Sequence, residues 1–362
     1  MCDGKSRPSI CASKSPGPAS STKVGTNSFA AIYVLSGVTQ PLLMTILKAS
    51  GLADPSCQLY MLFYYMGPAS VSLSFLSSNA TMPPWSLVLK AGIIALWDLI
   101  AQAMNYTGAA LAGPTIFAIL YSSVAVWTAV FSLIFLKRSM NVLQWCGVAT
   151  VFSGLAFTAA GSIQLGESVI HGSMFITIGS MMHGLFYVMS EFVMTKGSEN
   201  LSVEQNCAVQ VLVATFALLL WQLCYTLPRS EELLWDPMTN AGTTMLQGME
   251  LLGLFAFVSL IHSFSFYFTL RNYIGGATSA GVMKGLQAVL VFLVTHITYC
   301  GRYGGQEMCF SNLKFVSLIS VTGGVVIFGR ATQEKERTGP TGCNEGYMRI
   351  RGHDDDGIEI TN

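Results

Sequence analysis

The sequence predicts an all-α integral membrane protein of ten transmembrane helices, arranged as two inverted five-helix repeats. Composition is the first reason: 52% of the residues are hydrophobic and 10% charged, at a mean hydropathy of +0.52. A soluble domain carries about a quarter charged residues, so water is not the solvent for most of this surface. The second reason is a succession of ten long apolar stretches. The third is an internal echo, in which Asn105-Tyr106-Thr107-Gly108 recurs as Asn272-Tyr273-Ile274-Gly275.

Each span follows from one requirement. Hydrocarbon offers no partner to a free backbone N–H or C=O, so about twenty apolar residues must cross it as helix. The first such run, 28–48, ends on a lysine and contains Gln40-Pro41, where the missing N–H frees a carbonyl and sets a bend or gate. Runs 58–78 and 85–104 follow, the third carrying Asp98 and Gln102. The fourth, 112–136, starts at Gly113-Pro114, since proline suits a first helical turn. The fifth, 141–161, is glycine-rich, and the sixth, 169–195, carries His183 and Tyr187. Runs 207–227, 251–271, 276–300 and 310–329 complete the set. In the ninth, Ala277, Gly281 and Gly285 place small residues at every fourth position, a stripe that lets helix backbones approach in lipid.

An even number of spans puts both ends on one side, read as the cytosol. Of the 19 Lys and Arg, only Lys48, Arg229, Arg302 and Lys314 then lie outside, with Lys284 inside a span. That satisfies the positive-inside rule, chiefly through the tails. The organisation is therefore a disordered cytosolic tail (1–27), a first repeat (28–161), a second repeat (162–330) and a disordered cytosolic tail (331–362). The leader has no apolar core for a cleavable signal peptide. In this topology the sequons at Asn79 and Asn200 are cytosolic and that at Asn105 hugs the membrane, so no N-glycan is expected.

Nine cysteines show no metal-type spacing. Most lie in apolar segments, where cysteine acts as a small hydrophobe. Cys300 and Cys309 instead bracket a hydrophilic loop, and can pair if it faces an oxidising lumen. Neutral net charge gives no sign of nucleic-acid binding. His-Glu-x-x-His, paired intramembrane aspartates and a Gly-x-x-x-x-Gly-Lys loop are all missing from the sequence, so it reads as neither an intramembrane protease nor an ATP-driven pump, and not as an enzyme.

The echo continues as Ala110 answering Ala277, and Gly154 in the fifth span answers Gly324 in the tenth. Five spans per half is an odd number, so the second copy enters the membrane from the opposite side. Related halves of this kind enclose a site near the bilayer midplane in many transporters.

The stretch Tyr121 to Leu155 carries a helix that ends in Lys137-Arg138, then Gln144-Trp145 and a glycine-rich helix from Gly147 to Gly154. Together with Met283-Lys284-Gly285-Leu286 and Asp98, it resembles the drug/metabolite transporter superfamily (EamA-like) over roughly residues 28–330. The Lys-Gly step is similar to that of nucleotide-sugar transporters, and Asp98 to an acid of the chloroquine-resistance-transporter-like branch. The resemblance implies ten helices in inverted repeats and alternating access in an organelle membrane: Golgi, endoplasmic reticulum, plastid, or lysosome or vacuole. It implies a small-molecule solute and a lipid bilayer as partners, no cofactor and no metal, with a homodimer left open.

A charge at mid-helix costs about 2.5–3.5 kcal/mol on insertion scales, so Lys284 is the sharpest candidate. It lies about 12 Å beyond Gly276 at about 1.5 Å per residue, with Gln287 on the same face. Its ammonium suits a phosphate; the plain alternative is snorkelling to the headgroups. Asp98 has three readings: it takes a proton, binds a cationic solute, or pairs with Lys284. His183 and Tyr187 share a helix face, as a relay or as hydrogen-bonded packing, while Glu191 marks the end of that helix. Tyr121, Ser122, Ser123, Trp127 and Thr128 make the fourth span polar, opposite Ser279 and Lys284 of the ninth, as a shared cavity requires. His262, Ser263, Ser265 and Tyr267 give the eighth a weaker polar stripe. In the tail, Tyr347-Met348-Arg349-Ile350 resembles a Tyr-x-x-hydrophobic sorting signal, and Asp354 to Asp356 read as solvated chain.

The expected function is secondary transport of a nucleotide sugar or related anionic metabolite. A cation, amino-acid or drug transporter of the chloroquine-resistance-like type and a non-transporting membrane scaffold are the alternatives.

Overall fold

A computed structural model describes residues 21–77, 83–163, 166–196, 200–272, 276–301, 309 and 311–338. The sorting-signal match, the sequon at Asn79, the acidic tail and Tyr273 to Gly275 of the echo lie outside these. The described chain is all-helical. It runs α1 (Ser21–Ala49), α2 (Leu59–Ser77), α3 (Trp85–Ala112), α4 (Pro114–Tyr121), α5 (Val124–Phe135) and α6 (Val142–Ile163). After these come α7 (Glu167–Thr195), α8 (Val203–Trp221), irregular helical turns to Trp235, α9 (Asp236–Asn240), α10 (Met245–Asn272), α11 (Ala277–Tyr299) and α12 (Asn312–Thr338). Among the described residues, eight segments are long and apolar enough to cross a membrane, α4 and α5 forming one of them. Within α6 the described residues carry a shorter apolar stretch, Val142–Gly154.

Two boundaries differ from expectation. The third helix does not stop at Met104 but continues to Ala112, because Asn105 is buried rather than placed at a membrane surface. The chain turns at Gly113, whose φ of 81° a side chain would strain. The fourth span is two helices, broken by a turn at Ser122 and Ser123.

The side-chain distribution is the reverse of a soluble protein. On α3, Leu89, Ile93, Leu96 and Ile100 face outward while Asp98, Gln102 and Asn105 are buried. On α10, Met249, Leu254 and Phe257 are exposed and Ser259, His262 and Ser263 are inside. Apolar outside and polar within is the arrangement lipid selects, since membrane polar groups face the bundle interior.

Local sequence sets the helix starts. Reciprocal caps form where a small polar residue precedes glutamine by three: Asn141 with Gln144, Ser202 with Gln205, and Thr244 with Gln247. Each satisfies two backbone N–H donors at once. Gln144 also donates to Thr332 Oγ1 at 2.8 Å, tying the start of α6 to the last turns of α12.

The helices associate in close pairs: α3 with α7, α6 with α12, α1 with α10, α2 with α8 and α10, and α11 with α1, α4 and α5. Glycines open two of these interfaces. Gly108 and Gly172 bring α3 and α7 together, and Gly147 and Gly324 do so for α6 and α12. Ser317 donates to the Gly154 carbonyl at 2.5 Å and Ser320 to that of Thr150 at 2.9 Å. The α11 stripe serves two neighbours, Gly281 against α5 and Gly285 against α12.

The bundle has two distinct ends. One gathers the start of α1, where Phe29 stacks on Phe268 of α10, the finish of α7 and the start of α11. The last turns of α12 lie there too, through Thr332 and Gln144. At the far end Thr226, after α8, donates to Cys57, and the Cys300–Cys309 disulfide joins the approach to α12.

Candidate functional site

Two small cavities share the middle of the bundle. The first is lined by Gln40 of α1, Tyr64, Gln102, Tyr121, His262, Lys284 and Gln287. The second is lined by Tyr65, Asp98, His183, Tyr187 and Tyr267. Tyr64, Gln102 and His262 belong to both walls. Each holds about 30 Å³, room for about two water molecules. A wider space of about 190 Å³ lies towards the far end, between α1, the α3–α4 junction and α7. Pro41 lines both it and the first cavity. Lys48 sits in its wall and donates to the Ala110 carbonyl.

Lys284 does not reach the headgroups; it is only 5% exposed. Its ammonium lies 5.1 Å from the ring centres of both Tyr33 and Tyr121, an electrostatic attraction to the aromatic face. It is 3.5 Å from His262 Nε2, and His262 Nδ1 is 3.0 Å from Ser36 Oγ, which donates to the Ile32 carbonyl at 2.7 Å. One proton arrangement satisfies all three contacts: ammonium to Nε2, Nδ1–H to hydroxyl, hydroxyl to carbonyl. Among the described residues no carboxylate lies within ion-pair distance of Lys284. Gln287 donates to the Tyr33 carbonyl at 3.0 Å, across the gap that Gly37 leaves.

Asp98 pairs with other groups than Lys284. Tyr65 donates to Oδ2 at 2.7 Å, and His183 Nδ1 stands 2.9 Å from Oδ1. That second contact is an ion-pair distance without hydrogen-bond alignment, so neither Oδ1 nor Nδ1 has a properly directed partner. Tyr187 lies over His183, ring centres 4.8 Å apart, and its hydroxyl is 2.9 Å from that of Tyr33.

The bundle thus brings together Lys284, Gln287 and Tyr121 on one side, and Asp98, His183 and Tyr187 on the other. Three candidates stand elsewhere. Ser122 spends its hydroxyl on the Ile119 carbonyl at the α4 break. Trp127 packs on Phe131, Phe152 and Gly184, away from both cavities. Ser279 is half-buried on α11, outside both cavity walls. Tyr33, Tyr64 and Tyr65 were not singled out from sequence, because a tyrosine among apolar neighbours looks like core.

Glu191 does more than end a helix. It is buried, forms a bidentate pair with Arg138, and accepts the Ala277 backbone N–H at 2.7 Å. The sequence builds this locally. Lys137 adopts a φ of 53°, and the Arg138 N–H closes back on the Ser132 carbonyl, which turns the arginine towards α7. Gly276, at φ 51°, leaves the space the carboxylate fills and exposes the start of α11 to it. Replacing Glu191 with alanine removes these charge-assisted bonds, each about 1.5–3 kcal/mol. Thermal unfolding of purified protein is expected to show a lower midpoint for Glu191→Ala, with Glu191→Gln between; an unchanged midpoint would contradict the assignment.

No family model matches the sequence, and no curated protein matches it. Among solved structures, one described as "Crystal structure of protein" is similar at 16% identity and a TM-score of 0.44, over 82% of this chain and 98% of that chain.

Proposed function

We propose that this chain is a secondary transporter of the drug/metabolite transporter superfamily, moving a nucleotide sugar or related organic anion across an organelle membrane by alternating access. The observation that carries the reading is Lys284, a buried cation held by tyrosine faces and a histidine, with no carboxylate against it among the described residues. An ionisable side chain inside a membrane bundle is a functional group by default. Gln40, Gln102 and Gln287 around the same cavity supply the neutral donors and acceptors that orient a polar solute.

The pattern of helix contacts supports the two-repeat architecture. Exchange α1 with α7, α2 with α8, α3 with α10, α4 and α5 with α11, and α6 with α12. The pair α3–α7 then becomes α10–α1, and α2–α10 becomes α8–α3. Pairs α2–α8, α5–α11 and α6–α12 map onto themselves. This is the contact pattern expected of ten spans in inverted halves. A ligand pocket occupies about 300–1,000 Å³, so cavities of about 30 Å³ mark a closed site that must widen to load.

With both tails cytosolic, the disulfide end faces the lumen, where oxidising conditions sustain it. Impermeant maleimide is expected to label Cys300 and Cys309 only after reduction, from the side opposite an epitope on the tails. Labelling of Cys300 and Cys309 themselves from the epitope's side would overturn the orientation. Uptake into liposomes from a library of nucleotide sugars, nucleotides, amino acids and polyamines tests the function itself. Silence across that library would favour a scaffold. A second reading, cation or drug transport, draws on Asp98 and the tyrosines of the second cavity, and the same assay separates the two.

A further inference from the structure

We propose that the Asp98–His183 contact is a proton-binding site, which takes up one proton when an anion loads at Lys284. The proposal rests on the anion reading and adds the coupling ion to it.

Charge balance inside the bundle is the first argument. The two cavities share three wall residues, so their charged groups form one low-dielectric site. With both histidines neutral, Lys284 and Asp98 sum to zero. A bound monoanion leaves an unbalanced negative charge where water cannot solvate it, which is strongly unfavourable. One added proton restores neutrality.

Geometry says where that proton goes. Asp98 Oδ1 and His183 Nδ1 stand 2.9 Å apart, both buried, yet neither has an aligned partner. The opposite oxygen, Oδ2, is already held by Tyr65. A proton on the imidazole gives it an N–H on each nitrogen and turns a misaligned contact into a full ion pair. His262 is a poor acceptor by comparison. Its Nδ1 is engaged by Ser36, and its Nε2 faces the Lys284 ammonium at 3.5 Å, so a proton there would set two cations against each other.

The other titratable groups around the pair do not compete. Tyr64 and Tyr65 come from α2, Tyr121 from α4 with its ring 5.5 Å from His183, and Tyr187 from α7 itself. From α10 come His262 and Tyr267, and Lys284 stands beyond on α11. Among the described residues, Asp98 is the one carboxylate in either wall.

The test uses the full chain in liposomes on a solid-supported membrane, with protons as the probe and no organic solute. A rapid acid step is expected to displace charge transiently, because the proton binds part-way across the dielectric. His183→Gln and Asp98→Asn are expected to lose that transient while eluting as monodisperse protein. A full transient in both variants overturns the proposal. If either variant fails to fold, infrared difference spectra with isotope-labelled histidine decide, taken on a chain in which His171, His296 and His353 are replaced by glutamine. An imidazole-to-imidazolium band on acidification, with the buried carboxylate still ionised, supports the site; absence of that band overturns it. Because no anion is present, failure here leaves the Lys284 reading standing, and that reading falls only on solute uptake.

Discussion

Lys284→Gln is expected to abolish solute uptake while leaving the protein folded. Glutamine is one atom shorter but keeps a hydrogen-bond donor, so the tyrosine faces and His262 keep a polar neighbour. What is lost is the charge. A hydrogen bond to a charged group is worth about 1.5–3 kcal/mol, and its loss lowers anion affinity by about one to two powers of ten. The informative comparison is with Asp98→Ala in the same liposomes. Loss of uptake in the lysine variant, with or without loss in the aspartate variant, supports an anion; loss in the aspartate variant alone supports a cation and overturns the Lys284 assignment.

The second large effect is expected at Gly324. A Cβ built there would meet the Gly147 carbonyl oxygen at 2.6 Å and Val151 at 2.8 Å. The obstacle is the facing backbone, which cannot rotate aside as a long side chain could. Overpacking of this kind costs about 1–3 kcal/mol in well-packed cores, and in lipid close backbone approach is itself what holds helices together. Gly324→Val is therefore expected to lose the monodisperse peak on size-exclusion chromatography. Gly323, one residue earlier, has nothing within 4 Å of a built Cβ. Gly323→Val is expected to elute like wild type, and equal behaviour of the two variants would contradict the α6–α12 interface.

The helices themselves were legible because hydropathy changes sharply at their ends. Expected runs 58–78 and 276–300 match α2 and α11 within a residue or so. The third helix was misread at its finish because Asn105, Tyr106 and Thr107 look like an interfacial break. Asn105 is instead buried against Gly179 of α7, a contact that no local pattern reports. The division of the fourth span at Ser122 and Ser123 was hidden for a similar reason, since apolar residues continue on both sides. Of the central groups, Lys284, Asp98 and His183 stood out as polar residues within apolar runs. Their partners did not. That Asp98 meets His183 rather than Lys284 depends on how α3 packs on α7, which sequence spacing does not encode. Glu191 was taken for a boundary residue because its partners, Arg138 and Ala277, come from two other helices' ends.

The asymmetry between the two ends has a pharmacological consequence. At one, Arg138, Glu191 and the first turn of α11 are tied together; at the other, Pro41 and Lys48 border the wider hollow. A blocker shaped to fill that hollow should act from one face of the membrane only. Applied to the ion-paired face, the same compound should be inert. Its sidedness would therefore report which face this resting conformer presents, before any cargo has been identified.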